Sequence, residues 1–243
     1  IVSVAILAAA AGAAEAPQPM TAEQAAAQAA KAPPCPALAA MELKTTPIDF
    51  IDCTDPKDPH GFMDQGTSRV VTGPAGTYRV TAPHAHAFFG YRFKSDGKDK
   101  PVLVVFEYPD DADRNISFFT SESGLTGSVN GDWGLETGVY TGTPLPLSNK
   151  MQYHTFIYWP QDEWPALLVA NFNRAGGAGA ASRIWVYSID APLPKLQTSD
   201  PDPANPRRLG HYNSRGYYLA QRLYFGLKSP KAIEHMLEYF DYI

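Results

Sequence analysis

PVLVVFEYPDDADRNISFFT, residues 101 to 120, holds two strands and the turn between them, and it fixes the kind of fold. Val102 to Tyr108 is a run of β-branched and aromatic residues. It lacks the alternation of a half-buried strand and therefore reads as a central strand covered on both faces. Tyr108-Pro109-Asp110-Asp111 follows as a cheap turn, and Ile116 to Thr120 resumes the β pattern. On either side, the same alternation of strand and turn recurs about eight times between Ser68 and Asp190. Further strands are expected at Arg69 to Val71, Gly76 to Ala82, Ala87 to Lys94, Leu135 to Thr141, Gln152 to Trp159, Ala166 to Phe172 and Arg183 to Ile189. Tyr78-Arg79-Val80-Thr81 and Tyr91-Arg92-Phe93-Lys94 alternate, one side facing a core and the other water. Ser95-Asp96-Gly97, Asn130-Gly131-Asp132 and Ala175-Gly176-Gly177 supply turns. The expected class is an all-β antiparallel sandwich of the jelly-roll, galactose-binding-like kind, with an unstructured N-terminal leader and linker and a short helical C-terminal segment.

Composition agrees with an ordered β domain. Hydrophobic residues at 44% and aromatics at 12% supply apolar surface for a core of roughly 120 to 150 residues. Charged residues at 19% fall below the usual quarter. The net charge of −5 carries no basic cluster beyond Arg207-Arg208, which argues against nucleic acid and anionic membrane as partners.

Along the chain five segments are expected. Residues 1 to 16 read as part of a secretory signal peptide: IVSVAILAAAAGAA is apolar, too short to span a membrane, and followed by small residues. A secreted or periplasmic location is the consequence of that reading, with no membrane span. Residues 17 to 66 are an Ala/Pro-rich linker and irregular lead-in, in which Thr21 and Gln24 make a capping box for a short helix through Lys31 that Pro33-Pro34 ends. A helix of that length is marginal alone. The sandwich is expected over 67 to 191 and a Pro-rich linker over 192 to 209. At 210 to 243 a second, truncated domain begins: Ser229-Pro230 starts a helix whose Ile233, Leu237 and Phe240 share one face and need a partner surface. Cys35 and Cys53, in an oxidising compartment, either tie the linker to the sandwich or stay free.

Chemistry-bearing residues are few. His84 and His86 alternate on one strand face, and His154 is a possible third nitrogen for a metal-dependent enzyme. The Glu of a cupin motif is missing after the pair, so turn histidines bonded to backbone are the plainer account. Asp111, Asp113, Asn115 and Glu122 match oxygen positions of a calcium loop, but Ile116 stands where such a loop needs Gly. No cofactor is expected beyond a structural calcium at that turn. No GxSxG elbow or phosphate loop is present, and Gly176-Gly177-Ala178-Gly179 reads as a hairpin turn. Carboxylate pairs such as Asp162-Glu163 name no catalytic acid, because a glycosidase pair is defined by distance in space. Trp133, Tyr140, Tyr158, Trp159 and Trp164 cluster around turn-rich stretches. Such rings stack on the apolar faces of sugars, and Trp133, Tyr140, Trp159 and Trp164 are the candidate carbohydrate contacts. The competing reading buries them in the core or against a following domain.

GlyTyrArgPhe at 90 to 93, ValPheGluTyrProAspAsp at 105 to 111, GluThrGlyValTyrThrGly at 136 to 142, LeuSerAsnLysMetGln at 147 to 152 and SerArgIleTrpValTyr at 182 to 187 carry a resemblance. With them, Gly76 to Ile189 resembles the leading galactose-binding-like sandwich of large secreted bacterial proteins related to glycoside hydrolases. The resemblance implies a non-catalytic accessory module, a polysaccharide or oligosaccharide partner, and a downstream catalytic barrel in the same chain. It transfers no catalytic residue.

Overall fold

The computed structural model describes residues 20–65, 68–121, 133–142, 145–171, 177–190 and 192–194, with Lys231, Glu234, His235 and Glu238. The expected signal segment and most of the segments after 194 lie outside the described residues.

Strands β1 (Thr45–Asp52), β2 (Phe62–Gln65), β3 (Arg69–Gly73), β4 (Gly76–Val80), β5 (Ala87–Arg92), β6 (Val102–Pro109), β7 (Arg114–Ser121), β8 (Trp133–Thr141), β9 (Met151–Tyr158), β10 (Ala166–Asn171), β11 (Ala180–Ala181) and β12 (Arg183–Ile189) form three antiparallel sheets. The four-stranded sheet runs β1-β12-β6-β9 and the five-stranded sheet β2-β5-β10-β7-β8; a small β11-β4-β3 sheet closes one end. The pairings nest: β7 with β8, β6 with β9, β5 with β10, β1 with β12. A long antiparallel ribbon, doubled back at β7 and β8, is thus rolled so that successive strands change sheet, which is the jelly-roll arrangement. Every strand expected from the sequence is present.

β6 has the burial its sequence announces. Val102, Val104 and Phe106 enter the core between the sheets, and Leu103 and Val105 enter a second cluster on the outer face of the four-stranded sheet. Phe106 stacks on Phe118 of β7 at 4.1 Å and 22°. The inter-sheet core also holds Ile51, Phe89, Leu167 and Ile184.

The stretch expected to be linker and lead-in belongs to the folded unit from Met20 onward. β1 pairs with β12, so the sandwich begins at Thr45, not at 67. Pro47 hides this strand from a pattern search; it sits on an edge strand at a register shift, where a missing N–H does no harm. Helix α1 (Ala22–Lys31) has the expected capping box: the Gln24 N–H donates to Thr21 Oγ1 at 3.2 Å and the Thr21 N–H to Gln24 Oε1 at 2.7 Å. Marginal alone, it is held by packing on β1 through buried Ala25 and Ala29. Residues 32 to 43 then run across the outer face of the four-stranded sheet. Cys35 lies in that outer cluster and Cys53 in the inter-sheet core, so the sheet stands between them and both thiols are free.

Candidate functional site

The sandwich sets Tyr140 apart from the three candidate tryptophans. Ala166, Ser121 and Trp133 share one row across β10, β7 and β8, and Trp159 and Trp164 flank the β9–β10 connection at that same end. Tyr140 lies at the other end of β8, next to the start of β9. An eight-residue strand separates the two ends by roughly 25 Å, so the rings do not form one platform.

Each ring has its own surroundings. Trp133 occupies the register position opposite Ser121; its side chain is outside the described residues. Trp159 is half-buried, and one face is covered by His235, stacked at 5.1 Å and 10°. Tyr158 is buried in the core. Trp164 is half-buried with the Lys94 ammonium 5.5 Å from its ring centre, and Glu163 holds that ammonium at 2.7 Å. Its carbonyl accepts from Arg92 at 3.1 Å.

Tyr140 differs from all of these. It is 68% exposed, more than Phe62 at 37%. The strand presents it for a simple reason: Thr137 and Val139 turn to the core, so Gly138 and Tyr140 turn outward. Directly opposite on β7 stands Asn115, only 5% exposed, whose Nδ2 has no hydrogen-bond partner. Gly138 keeps the strip flat of necessity, because a Cβ there would fall 2.3 Å from the Ile116 carbonyl oxygen. The result is an exposed phenol ring on a flat strand, an arrangement suited to stacking on a sugar face.

The histidines are not brought together. His84 and His86 lie exposed in the turn before β5; the His84 ring Nδ1 is 3.0 Å from the Ala85 carbonyl, and His86 has φ 65° with its N–H donating to Asn171. His154 faces the core of the sandwich, stacked on Phe118 at 5.4 Å and 2.8 Å from Thr137 Oγ1. Burial pushes its pKa down to about 4, so the ring is neutral. Among the described residues no three His, Cys, Asp or Glu side chains form a group that could hold a metal ion.

Of the expected calcium ligands, Asp111 is engaged elsewhere. Asp111 Oδ1 takes Arg114 at 2.8 Å and Oδ2 takes the Tyr78 hydroxyl at 3.0 Å. Burial alone would raise this carboxyl, but the guanidinium and the phenol hold it below the usual carboxylate range. Asn115 is buried in β7, and Glu122 lies outside the described residues.

Sequence reading missed one polar centre entirely. His60 is buried between Asp49 of β1, 2.9 Å from Nε2, and Asp58 at Nδ1. Desolvation works against the cation, yet the two carboxylates outweigh it and raise the pKa to about 9. Asp58-Pro59-His60 is visible in the sequence; Asp49, on a strand that Pro47 conceals, is not.

No protein family and no curated protein matches the sequence. Among solved structures, a family 35 carbohydrate-binding module from Clostridium thermocellum aligns over 59% of this chain and 98% of its own, with 11% identity and TM-score 0.43. A CBM35 from Paenibacillus barcinonensis aligns over 56% and 96%, with 13% identity and TM-score 0.37. An exo-beta-1,3-galactanase from Phanerochaete chrysosporium aligns over 59% of this chain and 29% of its own, with 14% identity and TM-score 0.37. Likeness at this level assigns no function; the chain is a jelly-roll β-sandwich by its own strand order. Among the described residues no helix is long and apolar enough to cross a membrane.

Proposed function

We propose that this chain is an exported, non-catalytic carbohydrate-binding module, accessory to a glycoside-hydrolase-like protein, and that Tyr140 is its sugar platform. The observation that carries the reading is the 68% exposure of Tyr140 on a flat strand. A ring left in water forgoes the burial that stabilises aromatics elsewhere in the sandwich. A pyranose face laid on that ring would recover it. Export rests on the apolar stretch at 1 to 14, and the parent enzyme on the resemblance of Gly76 to Ile189. Affinity electrophoresis against a panel of soluble polysaccharides tests the reading: retardation by at least one, abolished by Tyr140→Ala at unchanged thermal stability, supports it. No retardation by any of them refutes it.

A second reading has its own support. The Trp159–His235 stack, with the Leu193 N–H donating to Glu238 at 3.3 Å, joins the sandwich to the segment after Lys231. Those contacts suit a structural module whose aromatics at that end pack against the C-terminal part of the chain. It predicts that Trp159→Ala lowers stability and leaves glycan retention untouched.

A further inference from the structure

We propose that the Asp58–Pro59 peptide bond is a self-cleavage site, at which the Asp58 carboxylate attacks its own carbonyl carbon and His60 protonates the departing proline nitrogen. Aspartyl–prolyl bonds are predisposed to this reaction. The side chain can close a small ring on its own carbonyl, an intramolecular attack that needs no encounter, and the tertiary amide leaves as a basic secondary amine. The sequence holds such bonds after Asp55, Asp58, Asp200 and Asp202. Of these, the bond after Asp58 alone is followed by a histidine, in Asp58-Pro59-His60.

The fold sets nucleophile and acid side by side. Asp58 Oδ1 accepts the His60 N–H at 3.0 Å, a turn that folds the carboxylate over the peptide unit between them, the bond to be cut. The same oxygen faces the His60 ring at Nδ1, and Oδ2 accepts the Asp52 N–H at 3.0 Å. His60 is 3% exposed, and its Nε2 lies 2.9 Å from Asp49. Asp49 also accepts the N–H of Phe50 and of Lys94, so it is fixed and holds the ring in place. With a pKa of about 9 the imidazole is a cation at neutral pH, the state a general acid needs. Pro59 itself is exposed, so the amine it becomes is released into water. Asp55 supplies a control within the same loop. Its Oδ1 accepts the Lys57 N–H at 2.8 Å in the same kind of turn, but the residue after Pro56 is a lysine and brings no imidazole.

In the first step a lone pair of Asp58 Oδ1 forms the bond to the Asp58 carbonyl carbon. The bond from that carbon to the Pro59 nitrogen breaks, and its electron pair takes the proton from His60 Nδ1. The products are a cyclic anhydride at Asp58, a free Pro59 amine and a neutral imidazole. In the second step water adds to the anhydride and opens it to two carboxyl groups, the Asp58 side chain and a new C-terminus. Their protons go to His60 and to the Pro59 amine. One water is consumed, and nothing is oxidised or reduced.

The test incubates the purified full chain at pH 7 over days and follows it by denaturing electrophoresis and intact mass. The chain should decay into two fragments that meet between Asp58 and Pro59, at least about a hundredfold faster than at Asp55–Pro56, the factor a positioned acid supplies. Size under native conditions should not change, because β1 stays paired with β12 after the cut. Asp58→Asn should abolish cleavage, and Pro59→Ala should slow it at least about tenfold, since a secondary amide gives a poorer leaving group. Pro59 is exposed, so its replacement leaves the fold and both reacting side chains in place. His60→Gln, shown by circular dichroism to be folded, should stop the cut. The proposal fails if the parent chain stays intact, if Asp55–Pro56 is cut equally, or if folded His60→Gln is cut at the parental rate. Cleavage of Asp58→Asn like the parent would overturn it too, by marking a contaminating protease.

Discussion

His60 and Asp49 meet at 2.9 Å with both side chains fully buried, and the same Asp49 carboxylate also accepts the backbone N–H of Phe50 at 2.8 Å and of Lys94 at 2.7 Å. One imidazolium thereby fastens β1 to the chain leaving β5. Its folded pKa of about 9 lies above the ordinary 6.5, so its contribution is complete below pH 6.5, declines as pH rises and is gone once pH passes about 9. The shift corresponds to about 3 kcal/mol. Chemical denaturation between pH 6 and 10 should show that decline, and His60→Gln should flatten it while lowering stability at pH 6. An unchanged profile in the variant would remove His60 as the cause.

His154 sets the opposite limb. Its pKa is depressed to about 4 by burial, so its stabilising contribution is complete above pH 6.5 and is lost as pH falls toward 4. The expected loss is roughly 2 to 3 kcal/mol. His154→Phe, which preserves the stack on Phe118, should be more resistant to acid than the parent. Equal acid midpoints would contradict this.

Tyr140→Ala should abolish polysaccharide retardation and change the thermal midpoint by less than about 1 °C, because the ring is 68% exposed. Retention that survives Tyr140→Ala would move the sugar site elsewhere.

Gly138→Ala should destabilise the sandwich by about 1 to 3 kcal/mol. The new methyl would meet backbone, the Ile116 oxygen at 2.3 Å and Ser117 Cα at 3.1 Å, and neither can rotate away. Thermal denaturation reads the cost; a neutral variant would mean that β7 and β8 separate freely.

The two thiols should react in order. Cys35, 8% exposed, is covered where the segment from 32 to 43 lies on the sheet, and Cys53, 0% exposed, is in the core. Burial raises the pKa of both, so little thiolate is present at neutral pH. A disulfide reagent should label Cys35 in a first phase, on local opening of that segment, and Cys53 in a second, at global unfolding. A single concerted phase would show that the segment never opens by itself.

The strands that could be read from sequence are those whose burial is uniform or strictly alternating. β6 announced itself by an unbroken apolar run, and β12 by Arg183 to Ile189. β1 escaped because its Asp49 is buried, which polarity forbids until His60 is known to face it. The two-residue β11 escaped because Gly179 precedes it and looks like turn chemistry. In the fold Gly179 is where the chain presses on β10, a Cβ there falling 2.6 Å from the Ala170 oxygen. Among the candidate aromatics, sequence does not show which ring is left in water, as Tyr140 is. Trp159 is capped by His235, more than seventy residues away, and no local pattern records that contact.

Local composition was enough for the class of this protein, since strand propensity and turn residues act over a few positions: an antiparallel sandwich with β6 at its centre and a capped helix at Thr21. Only in the folded chain does it emerge which polar groups are buried together, as in Asp49 with His60, and which side chains remain in water, as Tyr140 does. The same holds for the segment from 32 to 43, which lies on the sheet instead of linking two bodies. These outcomes depend on surfaces meeting across long sequence separations, where desolvation and packing are set by the partner and not by the residue itself.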